Sequence, residues 1–328
     1  MKHNFNKGII LDVSKEGWDM GAATFGTVVY DQDERKYYLF YSGASDVKWT
    51  EASIGLAISQ DGLNFKKYNE QNPIVNSRDF GLKQCVTPVV FKIKEYYFMI
   101  FAGKPARKGR RIYIAYSDNL IGPWRLIREL IRPQYYWEGK DIDLGPSVVI
   151  LNENEVLIYY SNVSNKILWN LLFRPRYWFR TIGILRLKVN SPTNIKTYRF
   201  DGNPLRHLNG PKGSWNESLF CPGCFKMERS YYLLPAASTY SVGFPYKQYI
   251  GLIKDSSPYF LNPIKIDVLI DGSREKDKII PGVKSEIALD TPCPIIRNGE
   301  LWLYYSVMDR VDGVWKIALS IFPLEYLL

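Results

Sequence analysis

One short strand-forming segment returns five times along the 328 residues, and it restricts the fold more than any other feature of the chain. Tyr37-Tyr38-Leu39-Phe40-Tyr41-Ser42-Gly43 recurs in altered form at 96–103, 156–162, 231–238 and 301–307. A smaller strand precedes each copy, with Thr27, Pro88, Pro146, Pro222 or Pro292 at a matching place. A third strand follows each copy, at 54–59, 112–117, 182–189, 249–254 and 315–322. A fourth follows at 65–68, 124–127, 195–200 and 264–269. The fifth copy reaches the end of the sequence before it supplies a fourth strand, and residues 8–13 can fill that place.

A four-stranded sheet that is apolar on both faces cannot bury both alone, whereas five such sheets set radially cover one another. The expectation is an all-β fold: a single five-bladed β-propeller over residues 1–328, closed by the N-terminal strand completing the last blade. The blades fall at approximately 19–75, 83–131, 141–201, 217–270 and 286–322 plus 8–13. Asp61-Gly62, Asp118-Asn119, Asp201-Gly202 and Asp312-Gly313 stand where strands must reverse. Outside 166–180 no run has the length and period of a helix.

Lysine and arginine exceed acidic residues to give a net charge of +10. That favours anionic partners, but no helix-turn-helix, zinc-finger or RNA-recognition pattern accompanies it, so nucleic acid is not expected. The start of the chain lacks the long apolar core of a secretory signal, and no apolar run is long enough to span a bilayer. A cytoplasmic location is expected, with Cys85, Cys221, Cys224 and Cys293 as thiols. With two histidines in the sequence, no metal site, cofactor or imidazole triad is expected, which directs attention to carboxylates.

In a propeller the first strand of each blade lines the central channel, so residues leading into those strands meet at one mouth. These are Trp18 and Asp19 in blade one, Asp141 and Asp143 in blade three, Trp215, Asn216 and Glu217 in blade four, and Glu286 and Asp290 in blade five. Trp137 precedes the Asp141 segment. Carboxylates converging on one mouth repel, which keeps one of them protonated near neutrality. An ionised carboxylate beside a protonated one suits cleavage of a glycosidic bond, and flat tryptophan faces suit sugar rings.

The order of blades, the Asp-Gly-Leu-Asn-Phe turn at 61–65, and the segment Asp143-Leu144-Gly145-Pro146-Ser147-Val148 resemble the five-bladed-propeller glycosidases. That superfamily includes arabinanases, β-xylosidases and invertases, with the related mannoside phosphorylases. The resemblance implies a glycoside hydrolase with Asp19 as base or nucleophile, Asp143 as a tuning group and Glu217 as the acid. The substrate would be an oligosaccharide or polysaccharide. The sequence departs from the hydrolase pattern at Phe220, two residues before its proline, and at Phe25 and Gly26. A phosphate-dependent phosphorylase and a non-catalytic glycan-binding propeller are therefore the alternatives.

Two basic segments add to the picture. The loop at 104–111 between the middle strands of blade two carries Arg107 and Arg110, which could receive phosphate or an acidic sugar. The insertion at 168–180 alternates large apolar and basic residues, as a lid, a partner surface or a peripheral membrane contact would.

Overall fold

The computed structural model describes residues 5–68, 72–163, 179–241 and 243–327. Residues 168–178 of the basic aromatic insertion, and with them most of the lid and membrane expectation, lie outside the described residues. No helix among the described residues is long and apolar enough to cross a membrane.

The structure is all-β. The first unit is β2 (Ala22–Asp31), β3 (Lys36–Ala44), β4 (Ser53–Ser59) and β5 (Lys66–Lys67). The second is β6 (Gln84–Ile93), β7 (Tyr96–Lys104), β8 (Arg111–Ser117) and β9 (Arg125–Ile131). The third is β10 (Ile142–Asn152), β11 (Glu155–Asn162), β12 (Ile182–Ser191) and β13 (Asn194–Arg199). The fourth is β14 (Ser218–Met227), β15 (Ser230–Ser238), β16 (Gln248–Asp255) and β17 (Lys265–Asp271). Last come β18 (Ile287–Arg297), β19 (Glu300–Asp309) and β20 (Trp315–Pro323), and β1 (Asn6–Leu11) pairs antiparallel with β20. Within each unit, sequential strands pair antiparallel. A single parallel bridge, Ala22 with Trp315, joins the first and last units into one eight-stranded sheet.

The second strands form the core of each unit because their aromatic and aliphatic residues are buried on both faces. Tyr38, Leu39, Phe40 and Tyr41 of β3 are fully buried, as are Tyr304 and Tyr305 of β19. The first strands lie innermost and touch in cyclic order: β2 with β6, β6 with β10, β10 with β14, β14 with β18, and β18 with β2. The Thr27 hydroxyl lies within hydrogen-bonding reach of the Pro88 and Pro146 carbonyls, the latter at 2.9 Å, so three first strands meet at one point. All four cysteines are free, buried thiols.

A bulge interrupts every first strand at a matching place. Phe25, Thr87, Cys221 and Thr291 adopt left-handed backbone there, at φ between 42° and 50°, which is strained for side chains of this size. The repeat itself supplies the restraint. The backbone N–H of Thr87 donates to Ser42 Oγ at 2.9 Å, that of Cys221 to Ser161 Oγ at 3.3 Å, and that of Phe25 to Ser306 Oγ at 2.9 Å. Each serine is the next-to-last residue of a copy of the recurring segment and holds the bulge of the next unit, the last unit holding the first.

One helix was not legible in the sequence. Helix α1 (Gly272–Ile279) follows β17, with the Asp271 carboxylate accepting from the N–H groups of Ser273 and Arg274. Its eight residues are too few for a helical period to stand out.

Candidate active site

Two carboxyls on inner strands share one electrostatic neighbourhood. Asp290 of β18 precedes the bulge at Thr291, whose N–H donates to Asp290 Oδ1 at 2.7 Å. Its pKa is pushed up to about 6, chiefly by burial; Arg180 opposes that rise, and the negative charge of Asp143 adds to it. Burial together with Asp290 and Asp143 also raises the Cys221 thiol.

Asp143, the second residue of β10, is engaged at both oxygens. Arg110 Nη1 donates to its Oδ2 at 2.6 Å, and its Oδ1 accepts from the Thr87 hydroxyl and the Leu144 N–H. Thr87 is one of the left-handed bulge residues, so backbone strain in β6 aims a donor at Asp143. Arg110 comes from the β7–β8 loop. Gly109 beside it lets that loop press against the Lys140 carbonyl, where a Cβ would collide.

Beside Asp290 lies a cavity of about 520 Å³ lined by Phe220, Tyr246 and Trp315, by Arg180 and Arg310, and by Gln248 and Glu286. Arg180 lies 4.4 Å over the Phe220 ring and Arg310 4.3 Å over Tyr246. Trp315 packs against Phe25, which packs against Trp49. Gln248 is fixed at both ends of its amide: Oε1 accepts from Leu289 N–H at 2.7 Å and Nε2 donates to the Tyr246 hydroxyl at 2.9 Å. Flat apolar faces among fixed polar groups suit a sugar ring. A carboxyl that titrates near neutrality on the wall of such a cavity is equipped to donate a proton to a leaving oxygen.

The structure brings Asp143 and Asp290 together but engages Asp19 and Glu217 elsewhere. Asp19 accepts from the Tyr41 hydroxyl at 2.9 Å and forms an ion pair with Lys67 at 2.7 Å. The third unit repeats that arrangement with Glu138, which accepts from the Tyr160 hydroxyl at 2.8 Å and from Arg199 Nε at 3.0 Å. The tryptophans share a packing role too. Trp18 covers Gly43 and Gly55, Trp137 covers Gly183, and Trp215 covers Gly251, each over a glycine of a third strand. Asp141 accepts from the Arg110 N–H at 2.8 Å, and Arg107 stands exposed in the loop before it.

Glu217 accepts from the N–H groups of Gly213, Tyr240 and Ser241 and from the Ser241 hydroxyl. Burial works to raise its pKa, but these hydrogen bonds outweigh it and hold the carboxyl below its usual range. Such a group clasps two loops as a carboxylate. Glu217→Gln is therefore expected to cost about 1–3 kcal/mol of stability at pH 7. Because the folded-state pKa is lowered, that stabilisation is present above the ordinary glutamate range and lost as pH falls through the folded value. Denaturant titrations at pH 7 and at pH 4 check this: the gap between the variant and the parent protein should shrink in acid. Loss of turnover in an undiminished fold would return Glu217 to the chemistry.

Arg180, Tyr246, Gln248 and Trp315 were missed in the sequence for a geometric reason. Gln248 opens β16, Trp315 opens β20, and Arg180 stands two residues before β12, each of them a third strand. Antiparallel connection puts the start of a third strand at the same end of its sheet as the start of the first. Inspecting both leads in each repeat would have found them.

Comparison with known proteins bears on this site. The family model of the glycosyl hydrolases family 32 N-terminal domain matches residues 2–170. A β-1,2-mannobiose phosphorylase of Thermoanaerobacter sp. (strain X514) is 28% identical over 130 residues, 35% of this chain and 41% of that relative, so the match spans less than half of the relative. Among solved structures, a glycoside hydrolase superposes with a TM-score of 0.69 at 13% identity, covering 96% of this chain and 91% of that one. A thermostable family-43 glycoside hydrolase gives 0.62 at 14%, over 94% and 91% of the two chains. A Bacillus subtilis arabinanase gives 0.57 at 15%, over 93% and 96%. At such identities the likeness is one of fold.

Proposed function

The chain belongs to the family of the glycosyl hydrolases family 32 N-terminal domain, within the five-bladed-propeller glycosidase superfamily, and from that premise we propose a carbohydrate-active enzyme that breaks a glycosidic bond beside Asp290. The five units are the blades of one propeller. In support, their first strands touch in cyclic order, and the serine bonds run from the last unit back to the first. β1 completes the last blade. We place the enzyme in the cytoplasm, where its four buried thiols stay reduced.

The observation that carries the reading is Asp290, a carboxyl raised to about 6 on the wall of an aromatic-lined cavity. A sugar ring stacks on Trp315 or Tyr246, and the protonated Asp290 gives its proton to the departing glycosidic oxygen. Burial chiefly raises Asp290, and Asp143, paired with Arg110, adds to that rise. Asp19, Glu217 and the three tryptophans hold the blades rather than the sugar.

Hydrolysis needs a second carboxylate free to activate water or attack carbon. Asp143 has both oxygens engaged, and Glu286 Oε2 accepts from the Ser273 hydroxyl at 3.1 Å. Phosphorolysis needs the acid alone, since phosphate is itself the nucleophile, and Arg180 and Arg310 line the cavity. That observation and the phosphorylase relative favour a phosphorylase as the second reading. Incubation with oligosaccharides, with and without inorganic phosphate, separates the two. Free sugar without phosphate supports the hydrolase, and sugar phosphate formed only with phosphate supports the phosphorylase. Sugar bound with no product in either arm rejects both.

A further inference from the structure

A second cavity, of about 570 Å³, lies outside the aromatic one, between the β7–β8 loop and the segment leading into β10. Six cations line it: Lys104, Arg107, Lys108, Arg111, Arg132 and Lys140. Asp141 is the one carboxylate among its lining residues, and its Oδ1 accepts from the Arg110 N–H.

Two contacts order the residues around the cavity. Gly109 lies against the Lys140 carbonyl, so the two segments cannot drift apart without losing that contact. Arg111 and Arg132 share the Glu129 carboxylate, each at 2.6 Å. Two guanidiniums on one carboxylate leave an excess positive charge. Among the described residues, Lys104, Arg107, Lys108 and Lys140 form no ion pair. Cations gathered in one concavity repel, and an anion relieves the repulsion. Arginine forks and lysine heads together suit phosphate, sulfate or carboxylate oxygens.

Arg110 links a lining residue of the basic cavity to the neighbour of Asp290, with its backbone N–H on Asp141 and its guanidinium on Asp143. Asp141 and Asp143 stand two residues apart, roughly 7 Å along extended backbone. The basic cavity shares no lining residue with the aromatic one, so an anion held there is not held among Arg180 and Arg310 beside Asp290. We propose that this basic cavity is a subsite for an anionic substituent of the glycan itself, so that the substrate is an acidic oligosaccharide. The assignment rests on the proposed reading of the aromatic cavity as the sugar site.

The test is calorimetric titration of the full chain carrying Asp290→Asn, so that no turnover is required. Oligogalacturonides are compared with the same oligomers methyl-esterified, and inorganic phosphate is titrated alone. The acidic oligomers are expected to bind at least tenfold tighter than the esters, with an affinity that falls as salt rises. Adding Arg107→Ala and Lys108→Ala, both exposed loop positions, should remove that preference. Equal binding of acid and ester overturns the proposal, as does a preference that survives the two loop substitutions. Saturation by inorganic phosphate with no preference among the oligomers also overturns it, assigning the cavity to a free anion. Should Asp290→Asn leave turnover intact in a separate assay, the proposed acid fails while this binding result stands on its own.

Discussion

Asp290→Asn is expected to cut turnover by about 10²–10⁴-fold while making the protein more stable at pH 7. The two effects have one cause. Folding moves this carboxyl from its ordinary 3.8 to about 6, so between those values the folded chain holds a proton that the unfolded chain has lost. Stability therefore falls as pH rises through that window, and above it the ionised group costs about 1–3 kcal/mol. Asparagine carries no charge to bury and removes that cost, but it has no proton to give. Turnover of the parent protein should fall as pH rises through about 6, when the acid ionises. Denaturation midpoints at pH 4 and pH 7 and a pH–rate profile check both halves: the stability gain should vanish at pH 4. A variant that retains turnover, or is no more stable at pH 7, removes Asp290 as the acid.

The strands were legible because their signal is local. Tyr37 to Gly43 and its four relatives are runs of aromatic and aliphatic residues that bury both faces, and β3, β7, β11, β15 and β19 cover them. The next-to-last serines of the copies, at 42, 161 and 306, carried a second message, since they fix the bulge of the following unit. That message needs neighbours in space to be read. The site was legible only in part. Asp143 and Asp290 stood out as acids leading into inner strands, and so did Asp19 and Glu217. What separates the two pairs is the partner each meets: Lys67 for Asp19 lies 48 residues away, and Ser241 for Glu217 lies 24 away. A tryptophan before a strand reads the same whether it faces a sugar or a glycine, and only the fold showed Gly55, Gly183 and Gly251 beneath the three.

The other large effect is expected at Asp143 and Arg110, where charge, stability and the acid's pKa are coupled. Asp143 is nearly buried and Arg110 keeps 19% of its side-chain exposure, so removing one partner strands a charge with little water to receive it. Arg110→Ala is expected to cost about 2–4 kcal/mol. The double variant Arg110→Ala, Asp143→Asn should recover most of that, because no unpaired charge is left. Asp143→Asn alone makes the decisive measurement. It removes the repulsion that adds to the burial-driven rise of Asp290 and leaves the Arg110 guanidinium without its partner, and both changes favour the ionised form of Asp290. The fall in turnover with rising pH should therefore move below pH 6, with proton donation at neutral pH lost accordingly. If Asp143 served the fold alone, the denaturation midpoint would shift while the pH profile kept its place. A pH profile that keeps its place in Asp143→Asn therefore rejects the coupling between the two carboxyls.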